Sequence, residues 1–463
     1  MLVAIANYGA GNRDHAQRLL DAYAVMPFPV RRVVLSNIPK DFGPDVEVLV
    51  GLPSQNPWSL PFAHRPLFAQ RRDDFDLFIY SEDDTLITES NIRAYLDVTR
   101  ALPEDEIAGF LRTETAPDGR VFYSTAHSFF HWRPGSVRDR GGTRVAEFTN
   151  DHGAAYMLTR EQLARAIDSG GFLVEPHEGR YDMLVSAATD PYTRCGMRRV
   201  LPIDRLGDFT LPHLTNKYVG RMGLDSARMD RLVEALRQTH AGRRPARELL
   251  PTETRLPGAR WSRHYYEPAD DRLVQAVEPG QAVLSYGAGW GELESALVER
   301  EARVTATPLD SAVSILLEDR GIEVTPADHG EALAALAGRS FDVILAPDVV
   351  HLAPDPSRRL RDLRGLTADG GRLILRAPNL GSASVLRQRW ITRNGMAGAG
   401  DYERSGVHPS TRAWLTRTLR QSGWRAQRCG WAYGERAGAW SRRLGGAMAP
   451  LLASGLYLEA APA

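Results

Sequence analysis

The sequence predicts an α/β protein of two domains, and the clearest signal lies in the carboxyl-terminal half. There, an apolar strand-like segment runs into three glycines spaced two apart (Gly287, Gly289 and Gly291). Further strand-like and helix-like segments then alternate, which is typical of a doubly wound parallel sheet that binds ligands at the carboxyl ends of its strands. In the amino-terminal half, a second strand-like segment ends in three adjacent acids, 82–84.

The segments around the glycines follow one another in a regular order. We predict a strand over 283–286, a helix over 293–300, a strand over 302–307, a helix over 310–320, and strands over 341–346 and 372–376. Because the glycine turn ends a strand and opens a helix, its backbone N–H groups can face a ligand at close range. The glycine spacing alone also fits an ordinary strand-to-helix turn, so the order of the later segments carries the interpretation.

Taken together, these segments resemble the class I S-adenosylmethionine-dependent methyltransferases over residues 263–463, which have a Rossmann-like sheet. The resemblance implies that the glycine loop cradles the methionine part of S-adenosylmethionine. It also implies that Asp328, which precedes the next helix, contacts the adenine. The phrase 366–378, which ends in Gly-Gly-Arg-Leu-Ile-Leu-Arg-Ala-Pro, matches the family's fifth-strand region.

Two positions depart from the family pattern. Ser285 stands where an acid usually precedes the glycine loop, and Thr307-Pro308 replace the acid expected to hold the ribose hydroxyls. Asp310, two residues later, is the candidate substitute. Losing a charge-assisted contact to the ribose costs about 1.5–3 kcal/mol, or roughly one to two decades of affinity. We therefore expect cofactor binding to be weak.

Methyl transfer needs little beyond alignment of the acceptor, because the sulfonium already carries the activation. His351 follows the fourth predicted strand and is placed to act as a base. It is equally a loop histidine without a catalytic role, and the sequence leaves both interpretations open.

In the amino-terminal half, the buried-strand pattern 75–80 ends in Ser81-Glu82-Asp83-Asp84. Adjacent acids repel one another unless a cation neutralises them, and hard divalent ions prefer oxygen ligands. The cluster is therefore either a metal site or a solvated acidic turn that caps the next helix.

The segments before the acids are a strand over 3–7, a helix over 13–24, strands over 32–36 and 46–50, and a helix over 65–72. With the acidic strand end, they resemble the GT-A fold of nucleotide-sugar glycosyltransferases over residues 1–225. The resemblance implies a mixed-sheet domain in which Glu82 and Asp84 bind Mn or Mg and, through the metal, the diphosphate of a nucleotide sugar.

Three further residues are candidates in this half. Asp182, with Glu178 as the alternative, is either the base that activates a glycosyl acceptor or an acid favoured by the helix dipole. His213 is either a third metal ligand or a structural histidine.

Length and composition bound these interpretations. At 463 residues the chain exceeds the size of one hydrophobic core, and we predict domains over 1–238 and 263–463 joined by a proline-containing linker, 239–262. The formal charge of zero gives no general attraction for nucleic acid. No apolar run reaches the ~20 residues of a membrane span, so a cytoplasmic protein is expected. Two cysteines suggest neither a disulfide framework nor a zinc site.

Three functions are compatible with the sequence. The first is a bifunctional transferase that transfers a sugar from a nucleotide sugar and methylates a sugar or glycoside, as in polysaccharide, glycolipid or decorated-metabolite synthesis. The second is a glycosyltransferase with a degenerate methyltransferase-like binding module. The third is a methyltransferase with a non-catalytic glycan-recognition module.

Overall fold

The computed structural model describes residues 1–123, 130–179, 181–219, 224–389, 396, 398–433 and 448–463. The chain forms two compact units, Met1–Asp230 and Arg231–Ala463. Among the described residues, none of the helices combines the length and apolar character needed to cross a bilayer.

The first unit combines one larger sheet with two small ones. Its strands are β1 (Leu2–Ala6), β2 (Arg31–Ser36), β3 (Val46–Val50), β4 (Leu77–Glu82), β5 (Glu106–Ala108), β6 (Leu111–Thr115), β7 (Val121–Tyr123), β8 (Arg138–Arg140), β9 (Thr143–Ala146), β10 (Ala155–Thr159), β11 (Arg198–Pro202), β12 (Thr210–Pro212) and β13 (Leu224–Asp225). Its helices are α1 (Arg13–Ala24), α2 (His64–Gln70), α3 (Glu89–Thr99), α4 (Arg160–Asp168) and α5 (Met183–Thr193), and α6 (Ser226–His240) runs on into the second unit.

The larger sheet has the order β3-β2-β1-β4-β10. Strands β1 to β4 are parallel, and β10 pairs antiparallel with β4. Residues 2–5 of β1 are fully buried, as expected of a central parallel strand covered on both faces. Ala6 lies opposite Glu82, so the carboxyl ends of β1 and β4 meet at one edge of the sheet. The predicted mixed sheet is thus observed, while the identification with the GT-A fold stays a prediction.

The second unit is built on a single seven-stranded sheet. Its strands are β14 (Ala282–Ala288), β15 (Arg303–Pro308), β16 (Glu323–Val324), β17 (Phe341–Pro347), β18 (Thr367–Pro378), β19 (Trp424–Ala432) and β20 (Gly455–Pro462). Its helices are α7 (Asp271–Gln275), α8 (Glu292–Glu299), α9 (Ser314–Glu318), α10 (His329–Ala335), α11 (Pro356–Arg364), α12 (Ala383–Arg387), α13 (Tyr402–Ser405), α14 (Arg412–Gln421) and α15 (Ala449–Leu452).

This sheet has the order β16-β15-β14-β17-β18-β20-β19, in which β20 alone runs antiparallel to its neighbours. The order reverses beside β14, so the loops after β14, β15 and β17 meet at the carboxyl edge where doubly wound sheets bind ligands. The predicted helix over 310–320 is shorter in the structure. The carboxylate of Asp310 accepts the N–H groups of Ala312 and Val313, each at 2.7 Å, in a separate turn before α9 begins.

The segment predicted as a linker, 239–262, packs onto the second unit. Leu249 and Trp261 are almost completely buried, and the Leu249 N–H donates to the Leu309 carbonyl at 2.8 Å. Arg244 forms an ion pair with Glu318 at 2.7 Å. The boundary between the compact units therefore lies at residue 230, ahead of the predicted 238. The segment lacks the periodicity of a helix or strand, yet its scattered apolar side chains enter the core of the unit.

Candidate functional site

The glycine turn after β14 adopts a conformation that requires glycine. Gly287 has a φ of 85° and Gly291 a φ of 94°, in the left-handed region that side chains disfavour. A Cβ at Gly287 would also lie 2.5 Å from Cγ1 of Val349. At Gly289 a Cβ would clash with the carbonyl oxygen of Tyr265. We had expected close approach of a cofactor to explain Gly289, whereas the structure shows that the chain's own backbone fills that space.

Residues 247–267, which we call the covering segment, lie over the carboxyl edge of the sheet. The segment is bonded to loops that follow three different strands. Its hydrogen bonds are Leu249 N–H to Leu309 O at 2.8 Å, Trp290 N–H to Tyr265 O at 2.9 Å, His351 Nε2–H to Trp261 O at 2.9 Å and an Arg263 guanidinium N–H to Gly287 O at 3.2 Å. The covering segment therefore lies over the place where the sequence predicts a cofactor.

Several buried polar atoms of the covering segment and of the loop after β17 lack hydrogen-bond partners within the described part of the chain. They include Ser262 Oγ, Arg263 Nε and His351 Nδ1, and each of these three residues is at most 3% exposed. An unsatisfied buried polar group costs about 1–3 kcal/mol. A polar ligand at this edge would relieve that cost, so the residues present fit the methionine part of the predicted cofactor.

His351 has the geometry of a base. A carbonyl oxygen only accepts hydrogen bonds, so the contact with Trp261 fixes the proton of the neutral imidazole on Nε2 and leaves a lone pair on Nδ1. Burial lowers the pKa of His351, and the nearby Asp348 carboxylate partly opposes that shift. The ring is consequently neutral, and able to accept a proton, near neutral pH. Its catalytic role stays a prediction.

The loop that carries His351 is held by a charged cluster. Asp348 follows β17 with a φ of 53° and binds Arg376 at 2.5 Å. Arg376 also binds Glu267 at 2.6 Å and Asp270 at 2.9 Å. Burial lowers the pKa of Arg376, but the adjacent carboxylates of Asp348 and Glu267 outweigh it and raise the pKa overall. The cluster links β17, β18 and the covering segment, which makes it a positioning element for the edge.

Asp310, the predicted ribose-binding acid, caps a buried turn, and its contact with ribose stays a prediction. Its side chain is 1% exposed and already accepts two backbone N–H groups. Burial raises the pKa of Asp310 to about 7, because the charged form loses its hydration. At the strand end itself, the buried hydroxyl of Thr307 accepts a hydrogen bond from Thr325 at 3.0 Å. The end of β15 therefore presents no carboxylate of its own.

The acid missing at position 285 has a counterpart on the following helix. Ser285 Oγ donates to Glu294 Oε1 at 2.5 Å, and both residues are at most 2% exposed. Burial raises the pKa of Glu294. Asp328 caps α10 by accepting the Glu331 N–H at 3.0 Å and is partly exposed, so a contact with adenine stays a prediction.

Sequence reasoning missed Ser262, Arg263 and Glu294. The first two lie where the predicted linker meets the domain, in the aromatic-rich stretch 261–266. The density of aromatic residues in this stretch was the available signal, because aromatic side chains are usually largely buried and a solvated linker would leave them exposed. Glu294 carried no comparable signal.

In the first unit, Asp83 is anchored at the carboxyl edge of the sheet. Its carboxylate accepts hydrogen bonds from Asn7 at 2.6 Å and from Asn12 at 2.9 Å, and Lys40 donates to the Asn7 carbonyl at 2.7 Å. Burial raises the pKa of Asp83 to about 6, and the asparagine hydrogen bonds oppose the shift. Glu82 stands beside it, and burial raises its pKa to about 7 against the opposing charge of Arg112.

The predicted metal ligands are arranged differently from the expectation. Within the described ranges, no group of three or more His, Cys, Asp or Glu side chains is placed to hold a metal ion. His213 lies 3.0 Å from Asp84 through Nε2 and 2.5 Å from Glu114 through Nδ1, and all three residues are buried. Both ring nitrogens are therefore engaged by carboxylates, and Glu82 is not part of this contact. Metal binding stays a prediction.

The two candidate bases of this unit lie in different settings, one at a helix cap and the other in an exposed loop. Asp182 caps α5 by accepting the Val185 N–H at 3.0 Å, which is the helix-capping alternative for this residue. Glu178 is exposed in the loop before the helix. Neither arrangement tests a role in catalysis.

Comparison with known proteins assigns the second unit to a class. Residues 259–427 match the family model described as a methyltransferase domain. The chain is 29% identical over 141 residues to a ubiquinone biosynthesis O-methyltransferase of Stutzerimonas stutzeri (strain A1501), covering 28% of this chain and 60% of the relative. It is also 29% identical over 165 residues to the protein of that name from Xanthomonas axonopodis pv. citri (strain 306), covering 33% and 68%.

Two solved methyltransferase structures align with part of the chain. Magnesium protoporphyrin IX methyltransferase from Synechocystis PCC 6803, with bound SAH, aligns at 20% identity with a TM-score of 0.30, over 42% of this chain and 81% of that one. A SAM-dependent methyltransferase from Archaeoglobus fulgidus aligns at 15% identity with a TM-score of 0.31, over 41% and 90%.

The second unit thus contains a methyltransferase domain with the predicted Rossmann-like α/β fold, and the prediction of a transferase is confirmed. S-adenosylmethionine is the cofactor that this match supports. The chain spans only about 60% of the length of the first curated relative. The resemblance of residues 1–225 to glycosyltransferases stays a prediction.

Proposed function

We propose that the second unit transfers a methyl group from S-adenosylmethionine to a hydroxyl oxygen of a small acceptor. The names of the two curated relatives support oxygen as the methylated atom. The observation that carries the proposal is His351, whose Nδ1 lone pair is buried, unpaired among the described residues and adjacent to the covering segment.

The residues that would hold the cofactor are the glycine turn, Ser262 and Arg263. When bound, S-adenosylmethionine supplies an electrophilic methyl group on its sulfonium. The guanidinium of Arg263 is buried, forms an ion pair with Glu267 and donates to the Gly287 carbonyl, and its Nε–H remains to donate to a carboxylate at the glycine turn. Burial strengthens such a charge interaction, because the local dielectric constant is lower than that of water.

His351 would remove the proton of the acceptor hydroxyl at Nδ1. The imidazolium that results is stabilised by Asp348, whose carboxylate already raises the tendency of His351 to hold a proton. The Trp261 carbonyl keeps the ring oriented throughout, because Nε2 carries a proton in both states. Such general-base assistance contributes typically 10²–10⁴-fold to a rate.

The test compares His351→Gln with His240→Gln in the full chain. The glutamine amide can still donate to the Trp261 carbonyl but cannot accept a proton, while His240 is exposed at the end of α6. S-adenosylhomocysteine affinity is measured by calorimetry, and transfer of labelled methyl is measured to a panel of sugars, glycosides and phenols. We expect His351→Gln to keep the affinity and to lose most of the turnover. Absence of saturable S-adenosylhomocysteine binding by the wild type would exclude the proposal.

We further propose, on the anchored Asp83, that the first unit binds a nucleoside diphosphate and transfers its sugar to a glycan, glycolipid or glycosylated acceptor. The acid sits between two asparagines at the edge shared by β1 and β4, with Lys40 beside it. This supports the bifunctional interpretation, in which the methyltransferase domain then modifies a sugar hydroxyl. In the second interpretation only the first unit keeps its activity, and in the third only the second unit does.

This second function is tested with manganese or magnesium and a panel of nucleotide sugars. Asp84→Asn should abolish metal-dependent nucleotide binding, because the variant keeps its shape and loses its charge. Asp73→Asn is the matched control, since the Asp73 side chain is 85% exposed. Equal nucleotide affinity of Asp84→Asn and the control would refute a metal-dependent site at β4.

A further inference from the structure

A cavity of about 590 Å³ opens beside the carboxyl end of β18 in the second unit. Its walls come from the segment after β18, from α14, from the end of β19 and from Pro450 ahead of β20. A volume of this size is in the range of small-molecule sites. The cavity is distinct from the covering segment, whose residues do not line it.

Three arginines line this cavity and no acid does. Arg412, Arg417 and Arg420 all belong to α14, and their guanidinium groups make no hydrogen bond or salt bridge with any residue the structure describes. Arg417 and Arg420 are three residues apart on one helix face, where like charges repel one another. An anion in the cavity would remove that repulsion.

The remaining lining suits a ligand with an organic body. Trp431 contributes an indole, and its N–H has no partner among the described residues. Thr411 and Thr416 contribute hydroxyl groups. Arginine presents a planar fork that binds phosphate through two parallel hydrogen bonds, so three such groups favour a phosphate over a single carboxylate.

The cavity and the candidate base are joined by a short stretch of chain. The His408 N–H donates to the His351 carbonyl at 2.9 Å, and Thr411, three residues on, lines the cavity. Ser410 accepts the Leu380 N–H at 3.2 Å, which ties the stretch to the segment after β18. Three residues extend at most about 11 Å. The wall of the cavity and the loop that carries His351 are therefore joined through the backbone.

We infer that the cavity binds a phosphate or diphosphate group of the methyl acceptor, while the hydroxyl to be methylated lies at His351. This inference rests on the proposed methyl transfer and names its substrate class. The phosphate group is held without reacting, so no bond to phosphorus is made or broken.

The test uses inorganic pyrophosphate as the probe, titrated calorimetrically into the full chain. Arg417→Gln and Arg420→Gln should each weaken its binding about tenfold, as expected for loss of one charge-assisted contact. Arg425→Gln is the matched control, because Arg425 is exposed on β19 and does not line the cavity. S-adenosylhomocysteine affinity should be equal in all four proteins, which shows that the fold is intact.

The outcomes separate this inference from the proposed function. No saturable pyrophosphate binding at millimolar concentration, or equal affinity in the cavity variants and the control, overturns the inference. Pyrophosphate binding without S-adenosylhomocysteine binding refutes methyl transfer and, with it, the acceptor assignment. Sedimentation with phosphatidylglycerol vesicles that needs Arg420 and is not competed by pyrophosphate would instead make α14 a membrane-surface element and also overturn the inference.

Discussion

A methyl group added at Gly289 tests whether the covering segment packs on the glycine turn. In Gly289→Ala the new Cβ meets the Tyr265 carbonyl, which is backbone and cannot rotate away. Overpacking of this kind costs about 1–3 kcal/mol. Displacing Tyr265 also breaks its hydrogen bond from the Trp290 N–H, worth roughly 0.5–1.5 kcal/mol. We therefore expect a loss of about 1.5–4.5 kcal/mol in the free energy of unfolding of the second unit.

The matched control is Gly330→Ala. Gly330 lies in α10, has no left-handed φ, and its Cβ would meet Oδ1 of Asp328 at an ordinary 3.5 Å. Alanine stabilises a helix interior relative to glycine by up to about 1 kcal/mol. Thermal unfolding of both variants is followed by calorimetry, where each kcal/mol moves Tm by roughly 2–4 °C in a unit of this size. If Gly289→Ala kept the wild-type Tm and lost only S-adenosylhomocysteine binding, the glycine would serve the cofactor and our packing argument would be wrong.

Three further outcomes are expected. The pKa of His351 is lowered, so turnover should stay constant as pH falls to 6.5 and drop only below that pH. The free energy of unfolding should also fall below pH 6.5, because the histidine of the unfolded chain binds a proton more readily than that of the folded chain. A pH profile of kcat, with thermal melts at the same pH values, checks both. Ser285→Asp should destabilise the domain by placing two carboxylates in contact, and Glu294→Gln in the same chain should restore most of the loss in a double-mutant melt. Trypsin should cut first after Arg243, whose side chain is 68% exposed, and spare Arg263, whose side chain is 4% exposed, as mass spectrometry of early fragments would show.

The alternation of strands and helices in the second unit was predictable because its signals are local. Each strand of the parallel core is a short apolar run. The turn after β14 is marked by glycines, two of which have the positive φ that other residues disfavour. The same locality explains the mixed sheet of the first unit, where the buried run of β4 ends at Glu82.

Functional detail at the carboxyl edge was less predictable, because it depends on contacts between residues far apart in the chain. The predicted linker reads as polar and proline-rich, yet its Trp261 carbonyl accepts the Nε2–H of His351 across 90 positions. Asp310 looked like a substitute acid by its spacing, and its capping of the following turn appears only once the backbone is folded. His213 was predicted to bind metal, but Glu114, 99 residues away, occupies one of its nitrogens.

The covering segment links the glycine turn to His351 through its own register. The Tyr265 carbonyl takes the Trp290 N–H of the glycine turn, and the Trp261 carbonyl, four residues earlier, takes the Nε2–H of His351. A shift of the segment by one residue would lose both contacts together, because each depends on one particular backbone carbonyl. Arg376 opposes such a shift because it binds Glu267 in the segment and Asp348 in the loop of His351. The glycine turn and His351 are therefore held in one frame, as the proposed in-line transfer to an oriented acceptor would require.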